Sequence, residues 1–279
     1  MKIDAHQHFW QFDPIRDAWI DDSMNVLRRD FLPLELGEIL QNHDIDGCVA
    51  VQADQSETET SFLLNLAENY SFIKGVVGWV DLLASDLSDR LAFFSINPLF
   101  KGVRHIAQAE EDDFLKREDI KLGISHLRKY NLTYDILIYP RQLPAAIELV
   151  KAIPEQRFAL DHIAKPDISS GLSASWKSDI GELSSLSNVY CKISGLVTET
   201  KGYHWKEKEF VPFLDTIVDS FGVDRIMYGS DWPVCILAAN YSGQLDILSD
   251  YMAQYSIEDQ EKFWGLNAQH FYNLNDEIV

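Results

Sequence analysis

Short apolar runs and stretches of helical period alternate from one end of this chain to the other. Residues 3–8 open the series with the two-residue alternation of a strand. Seven further runs of strand character are expected at 47–52, 73–80, 100–105, 134–139, 158–162, 189–194 and 225–230. Between them, apolar residues recur at helical spacing in 33–40, 58–70, 87–94, 114–130, 143–153, 176–185 and 210–221. Two more helical stretches, 241–255 and 258–272, close the chain. Strands that alternate with helices imply βαβ units around a parallel sheet. Eight such units in roughly 250 residues fit a (β/α)8 TIM barrel. No glycine-rich phosphate loop follows the first strand, which weighs against an open doubly wound sheet. No Gly/Ser-rich or low-complexity linker interrupts the series, so residues 1–279 read as a single domain. The segment 9–33 is too long for an ordinary connection and is expected to be an inserted lid or substrate-binding loop. Arg28 and Arg29 within it are placed to bring charge over a pocket.

Composition narrows the class of partner. With 44 acidic and 24 basic residues the chain carries a net charge of -20, which argues against nucleic acid or an anionic membrane surface as a partner. A local pocket for a small molecule is untouched by that argument. Cys48, Cys191 and Cys235 form no C-x-x-C pair, and Cys48 and Cys191 sit in apolar runs as buried, inert thiols would. That usage suits a reducing cytoplasm. No apolar stretch approaches the ~20 residues of a membrane span, and the segment after Met1 lacks a signal-peptide layout. A soluble, cytoplasmic protein is expected, with oligomeric state left open, a homo-oligomer included.

The active site of such a barrel lies at the C-terminal ends of its strands. Those ends carry His6 and His8, Gln52 and Asp54, Trp79 and Asp81, and Arg104 with His105. They continue with Tyr139, His162 and the nearby Lys165, Lys192 and Ser194, and Asp231. His6 and His8, two residues apart on one strand, project to the same face. His43, His126, His204 and His270 fall in helices or loops and read as surface or locally satisfied side chains.

The set His6, His8, His162 and Asp231 resembles the amidohydrolase superfamily, with H-x-H on the first strand, a later histidine and an aspartate after the eighth strand. Longer matches are Ile3-Asp4-Ala5-His6-Gln7-His8-Phe9-Trp10, Arg29-Asp30-Phe31-Leu32-Pro33 and Gly102-Val103-Arg104. So are Asp161-His162-Ile163-Ala164-Lys165-Pro166, Tyr228-Gly229-Ser230-Asp231-Trp232-Pro233 and Gly265-Leu266-Asn267-Ala268. Together, from Lys2 to Tyr272, they resemble the amidohydrolase-related branch (amidohydrolase 2). That branch includes hydrolases of sugar lactones such as L-fuconolactone and L-rhamnonolactone. The resemblance implies a hydrolase of carbohydrate metabolism that opens a lactone ester in a small-molecule substrate. Binuclear members of the superfamily use a bridging lysine or glutamate at strand four and histidines at strands five and six. Here those strands end in Arg104-His105, Tyr139 and His162, so a two-metal site is not expected. His6, His8, His162 and Asp231 can hold one divalent ion, zinc above all, which takes nitrogen and oxygen ligands tetrahedrally. The branch also includes lactonases described as metal-free, so both mechanisms stay open.

Asp231 is expected to take a proton from water and return it to the leaving ring oxygen. A helix N-cap is its bland alternative. Without a metal, the three histidines would donate to the developing oxyanion. Arg104 is expected to anchor substrate oxygens, with Tyr139, Lys165, Trp79 and Trp232 as pocket walls and sugar contacts. Two rival functions remain: a metal-dependent decarboxylase on the same barrel, and a barrel that binds ligand without turnover.

Overall fold

In the computed structural model, which describes residues 1–274, eight parallel strands pair in chain order. They are β1 (Ile3–Gln7), β2 (Gly47–Val51), β3 (Ile73–Gly78), β4 (Phe100–His105), β5 (Thr133–Ile136), β6 (Phe158–Leu160), β7 (Val189–Ile193) and β8 (Ile226–Tyr228). One helix follows each of the first four strands: α1 (Pro33–Asn42), α2 (Glu57–Asn69), α3 (Leu87–Phe94) and α4 (Glu118–Ser125). The second half repeats this with α5 (Leu143–Ala152), α6 (Ala174–Ser184), α7 (Val211–Phe221) and α8 (Tyr241–Met252). The chain then adds α9 (Ile257–Glu261) and α10 (Asn267–Tyr272). This is the expected (β/α)8 barrel. No helix among the described residues is long and apolar enough to cross a membrane.

Two expected helices are broken. The 114–130 stretch splits into a 3-10 turn, α4 and a second 3-10 turn, because Arg117 is extended (ψ 132°). Its apolar period records packing against the barrel, which short pieces achieve as well as one rod. The 258–272 stretch passes through a π-helical turn at Lys262–Leu266. There the backbone comes so close to Met1 that a β-carbon on Gly265 would lie 1.9 Å from the Met1 carbonyl oxygen. The 9–33 insertion is a packed loop. Trp10 and Phe31 exchange backbone hydrogen bonds at 3.1 and 2.9 Å and, with Ile20 and Leu27, are buried. Arg28 pairs with Asp22, and Arg29 grips Glu35 through two 2.7 Å contacts, so neither brings free charge over the barrel mouth.

Outward strand residues such as Val103, Tyr134, Leu160 and Cys191 join the core beneath the helices. Inward residues Ile3, Ala5, Val49, Val51, Val77, Ala159 and Met227 close the barrel floor with Phe271 and Tyr272 of α10. In the β1–β2 ladder, Asp4 partners Cys48 and Gln7 partners Ala50, so β1 advances three residues while β2 advances two. The extra residue is a β-bulge. It lets consecutive residues face inward: Ala5 seals the floor, and His6 meets Arg104, Asp161 and Lys192 above it. Gln7 turns outward, its amide donating to the Cys48 sulfur at 3.3 Å.

Above the floor the interior is charged and buried. Lys192 Nζ lies 2.5 Å from Asp135 Oδ2 and 3.1 Å from Asp161 Oδ1, and Arg104 Nη1 lies 3.1 Å from Asp161 Oδ2. The Tyr272 hydroxyl donates to Asp135 at 2.7 Å. Two cations thus face two carboxylates, and all four are buried. Removing one partner of such a network leaves an uncompensated charge in low dielectric. Lys192→Met is therefore expected to lower unfolding free energy by about 3–5 kcal/mol, measured by urea denaturation. A loss near zero would mean that the pairing contributes nothing to the barrel.

Candidate active site

The barrel closes between β8 and β1 at its C-terminal mouth, and the seam is where the chemistry gathers. The Asp231 N–H donates to the His6 carbonyl at 2.8 Å, and the His8 N–H donates to the Trp232 carbonyl at 2.7 Å. Gly229 makes this approach possible, since a β-carbon there would lie 2.7 Å from His6 Cβ. From outside, the Asp4 carboxylate receives the Ser230 N–H at 2.9 Å and the Tyr241 hydroxyl at 3.1 Å, holding the β8 loop. Burial pushes the Asp4 carboxyl up to about 6 against these bonds.

His162 arrives by a different route. Four consecutive residues, His162, Ile163, Ala164 and Lys165, have φ between 48° and 62°. None is glycine, and each costs roughly 1–2 kcal/mol relative to the right-handed region. The turn is held by buried packing of Ile163 and Ala164 and by the Trp176 indole, which donates to the Ile163 carbonyl at 3.0 Å. Asp231 is also left-handed, at φ 57°. Backbone strain of this kind concentrates at functional sites.

Each imidazole is held by named partners, and for His8 they assign the tautomer. His8 Nδ1 lies 2.7 Å from the Val51 carbonyl, an acceptor, so Nδ1 carries the proton. His162 Nδ1 lies 2.9 Å from the Ser194 hydroxyl. His6 Nε2 receives the Arg104 guanidinium, which can only donate, at 3.3 Å, and its Nδ1 lies between Lys192 Nζ at 3.2 Å and Asp161 Oδ1 at 3.3 Å. The three Nε2 atoms surround Asp231 Oδ1, at 3.4 Å from His8 and 3.9 Å from both His6 and His162. Burial lowers all three histidine pKa values. Burial alone would raise that of Asp231, but His162, His8 and Lys165 overcome it and hold the carboxyl below its usual range. The donor set is therefore three neutral imidazoles and one carboxylate, the protonation states that metal binding requires.

His6, His8 and Asp231 offer ligand atoms within 4.8 Å of one another, and so do His6, Asp161 and His162. The first set, with His162 alongside, fits a metal better. Asp161 is already balanced by Lys192 and Arg104, and these hold it well below the usual carboxylate range despite its burial. Contacts of 3.4–3.9 Å are slightly wider than the edge of about 3.3 Å in a tetrahedron with zinc–nitrogen bonds of about 2.0 Å.

The remaining expected residues fall in three places. Arg104 is as buried as His162 and points into the barrel, where it meets the Gln52 carbonyl, Asp161 and His6 and supports the site from below. Trp232 is 1% exposed and packs edge-on against Phe9 and Phe31, so it is a core side chain and not a sugar contact. Trp79 is half-buried and donates to His105, itself held by Glu110 and stacked on Phe114, away from the histidine cluster. Tyr139 and Lys165 line a shared cavity of about 890 Å³ beside the cluster. Asp135 and Asp161 hold supporting roles that a reading of the strand ends does not reach. A charged residue inside an apolar strand, as in Tyr134-Asp135-Ile136, was the available signal.

Known proteins share the sequence and the fold of this chain. A curated L-fucono-1,5-lactonase of Burkholderia ambifaria is 35% identical, over 98% of this chain and 96% of its own length. One from Burkholderia multivorans is 36% identical, again over 98% and 96%. A crystal structure of an amidohydrolase from Burkholderia multivorans with bound zinc superposes with a TM-score of 0.95 at 35% identity, covering 99% of this chain and 100% of that one. The amidohydrolase family model (Amidohydro_2) matches residues 3–274, and the chain belongs to that family.

Proposed function

We propose that this protein hydrolyses the ester bond of a sugar-derived lactone, of the L-fucono-1,5-lactone type, and that a single zinc ion resides at His6, His8, His162 and Asp231. The substrate class rests on the curated lactonases that share about a third of their residues with the chain over nearly its full length. The metal rests on one observation: three imidazoles place Nε2 within 3.4–3.9 Å of the Asp231 carboxylate, where burial disfavours a charged histidine. A cation is what such a cluster accepts. Arg104 places its guanidinium beside His6, where a second ion would otherwise stand, in keeping with one metal.

When bound, the zinc would supply Lewis acidity to the lactone carbonyl or to a water. The protein's own contribution is proton handling. The Asp231 carboxylate takes a proton as water adds to the carbonyl and returns it to the departing ring oxygen, yielding the open-chain hydroxy acid. Asp161, the Val51 carbonyl and Ser194 keep His6, His8 and His162 in fixed orientations through Nδ1. Tyr139 and Lys165 bound the space in which the hydroxylated part of the substrate lies.

Asp231→Asn is expected to lower kcat for lactone opening by at least ~100-fold while the thermal melt stays cooperative, read with a pH-indicator assay on L-fucono-1,5-lactone. Near wild-type turnover would remove Asp231 from the role of base. Elemental analysis is expected to find one zinc per chain, and exhaustive chelation to abolish activity until zinc is restored. Undiminished turnover by metal-free protein would assign the reaction to the side chains alone.

A further inference from the structure

Glu199 lies at the end of a 3-10 turn, Val197–Glu199, in the loop that follows β7. The start of that loop is pressed against the reaction centre. A β-carbon on Gly195, which has φ 65°, would lie 2.6 Å from His162 Nδ1 and 3.2 Å from Asp231 Oδ2. From there the chain carries Glu199 to the wall of the cavity that Tyr139 and Lys165 also line. Its side chain is 21% exposed, and its nearest cation is Lys165, with Nζ 3.7 Å from Oε1. Lys165 in turn lies 5.9 Å from the centroid of the Tyr139 ring.

The separation is informative. Arg29 and Glu35 close fully at 2.7 Å, whereas this pair, like Lys262 and Asp259, stands at 3.7 Å. Glu199 and Lys165 are near enough to orient each other, yet neither fills the other's hydrogen-bonding capacity. A sugar hydroxyl donates and accepts at once, so it can join a carboxyl on one side to an ammonium on the other. The Tyr139 ring adds an apolar face for the carbon side of a sugar. Lys165 ends the left-handed turn that begins at His162, and Glu199 follows by four residues the Gly195 that abuts His162 and Asp231, so a ligand held between them lies next to the reaction centre.

We propose that Glu199 is a specificity-determining residue that, with Lys165, reads the hydroxyl groups of a polyhydroxylated substrate whose carbonyl stands at Asp231. The ligand class deepens the lactonase reading and rests on it. Removal of the Glu199 acceptor leaves a hydroxyl unpaired in a part-buried cavity, a loss that falls on hydroxylated ligands and spares those without hydroxyls.

The test is calorimetric binding of two open-chain acids to the full-length protein: L-fuconate, and 5-hydroxypentanoate, which lacks the additional hydroxyls. Glu199→Gln keeps the shape of the side chain. It is expected to weaken L-fuconate by at least ~10-fold, the scale of one hydrogen bond to a charged group, and 5-hydroxypentanoate by less than ~2-fold. Lys165→Met is expected to erode the same preference. Equal losses for both acids, no loss for either, or a wild-type protein with no preference for L-fuconate would each overturn the proposal. The lactone assay separates the two ideas. Turnover by wild type with unchanged L-fuconate binding in Glu199→Gln sinks the hydroxyl pair alone. Absence of lactone turnover with Glu199-dependent L-fuconate binding sinks the reaction alone.

Discussion

The structure depends on one buried carboxylate. Asp161 sits between Lys192 and Arg104 in the buried centre of the barrel, and through them it ties β4, β6 and β7 together, with Asp135 of β5 as a second anion. Charges this deep are tolerated only when each is matched and hydrogen-bonded. The match also has a chemical output. Asp161 and Lys192 both meet His6 Nδ1 and Arg104 contacts His6 Nε2, so the layer that holds the strands together also sets the orientation of the first histidine. Stability and site geometry are here one network, and His6 cannot be adjusted independently of the barrel that carries it.

The upper half of the site is built on the opposite principle. There, three imidazoles crowd one carboxylate, and the backbone takes conformations that local propensity disfavours. His162 stands in a left-handed run of four residues, and Asp231 is left-handed as well. The surrounding packing, the Trp176 indole and the two seam hydrogen bonds hold these positions in place. Such an arrangement is favourable only as part of a larger whole, with the folded barrel below it.

What could be read from the chain follows from these causes. Strand and helix periods identified the barrel because eight repeats average out local noise. His6, His8, His162 and Asp231 were legible because ionisable residues at strand ends converge in this architecture. Arg104 was found, but its direction was not: alternation tells which face a side chain takes, whereas depth depends on partners such as Asp161 from other strands. Trp232 follows Asp231 directly, yet the loop turns it into the Phe9 and Phe31 packing. The left-handed run was invisible because Ile, Ala and Lys give no signal for positive φ. Arg28 and Arg29 were placed by charge alone, and their acidic neighbours Asp22 and Glu35 decided the matter.

The bulge in β1 has a meaning for how this site can vary. A regular strand must separate two inward residues by an outward one. Here Ala5 and His6 are adjacent and both face inward, so the boundary between oily floor and reactive chamber is a single peptide unit. Deleting one residue between Asp4 and Gln7 would force one position to serve as both seal and ligand. The information lies in the count of residues, not in their identities, and a scan of substitutions would pass over it. In this corner of the molecule, chemistry is written in length.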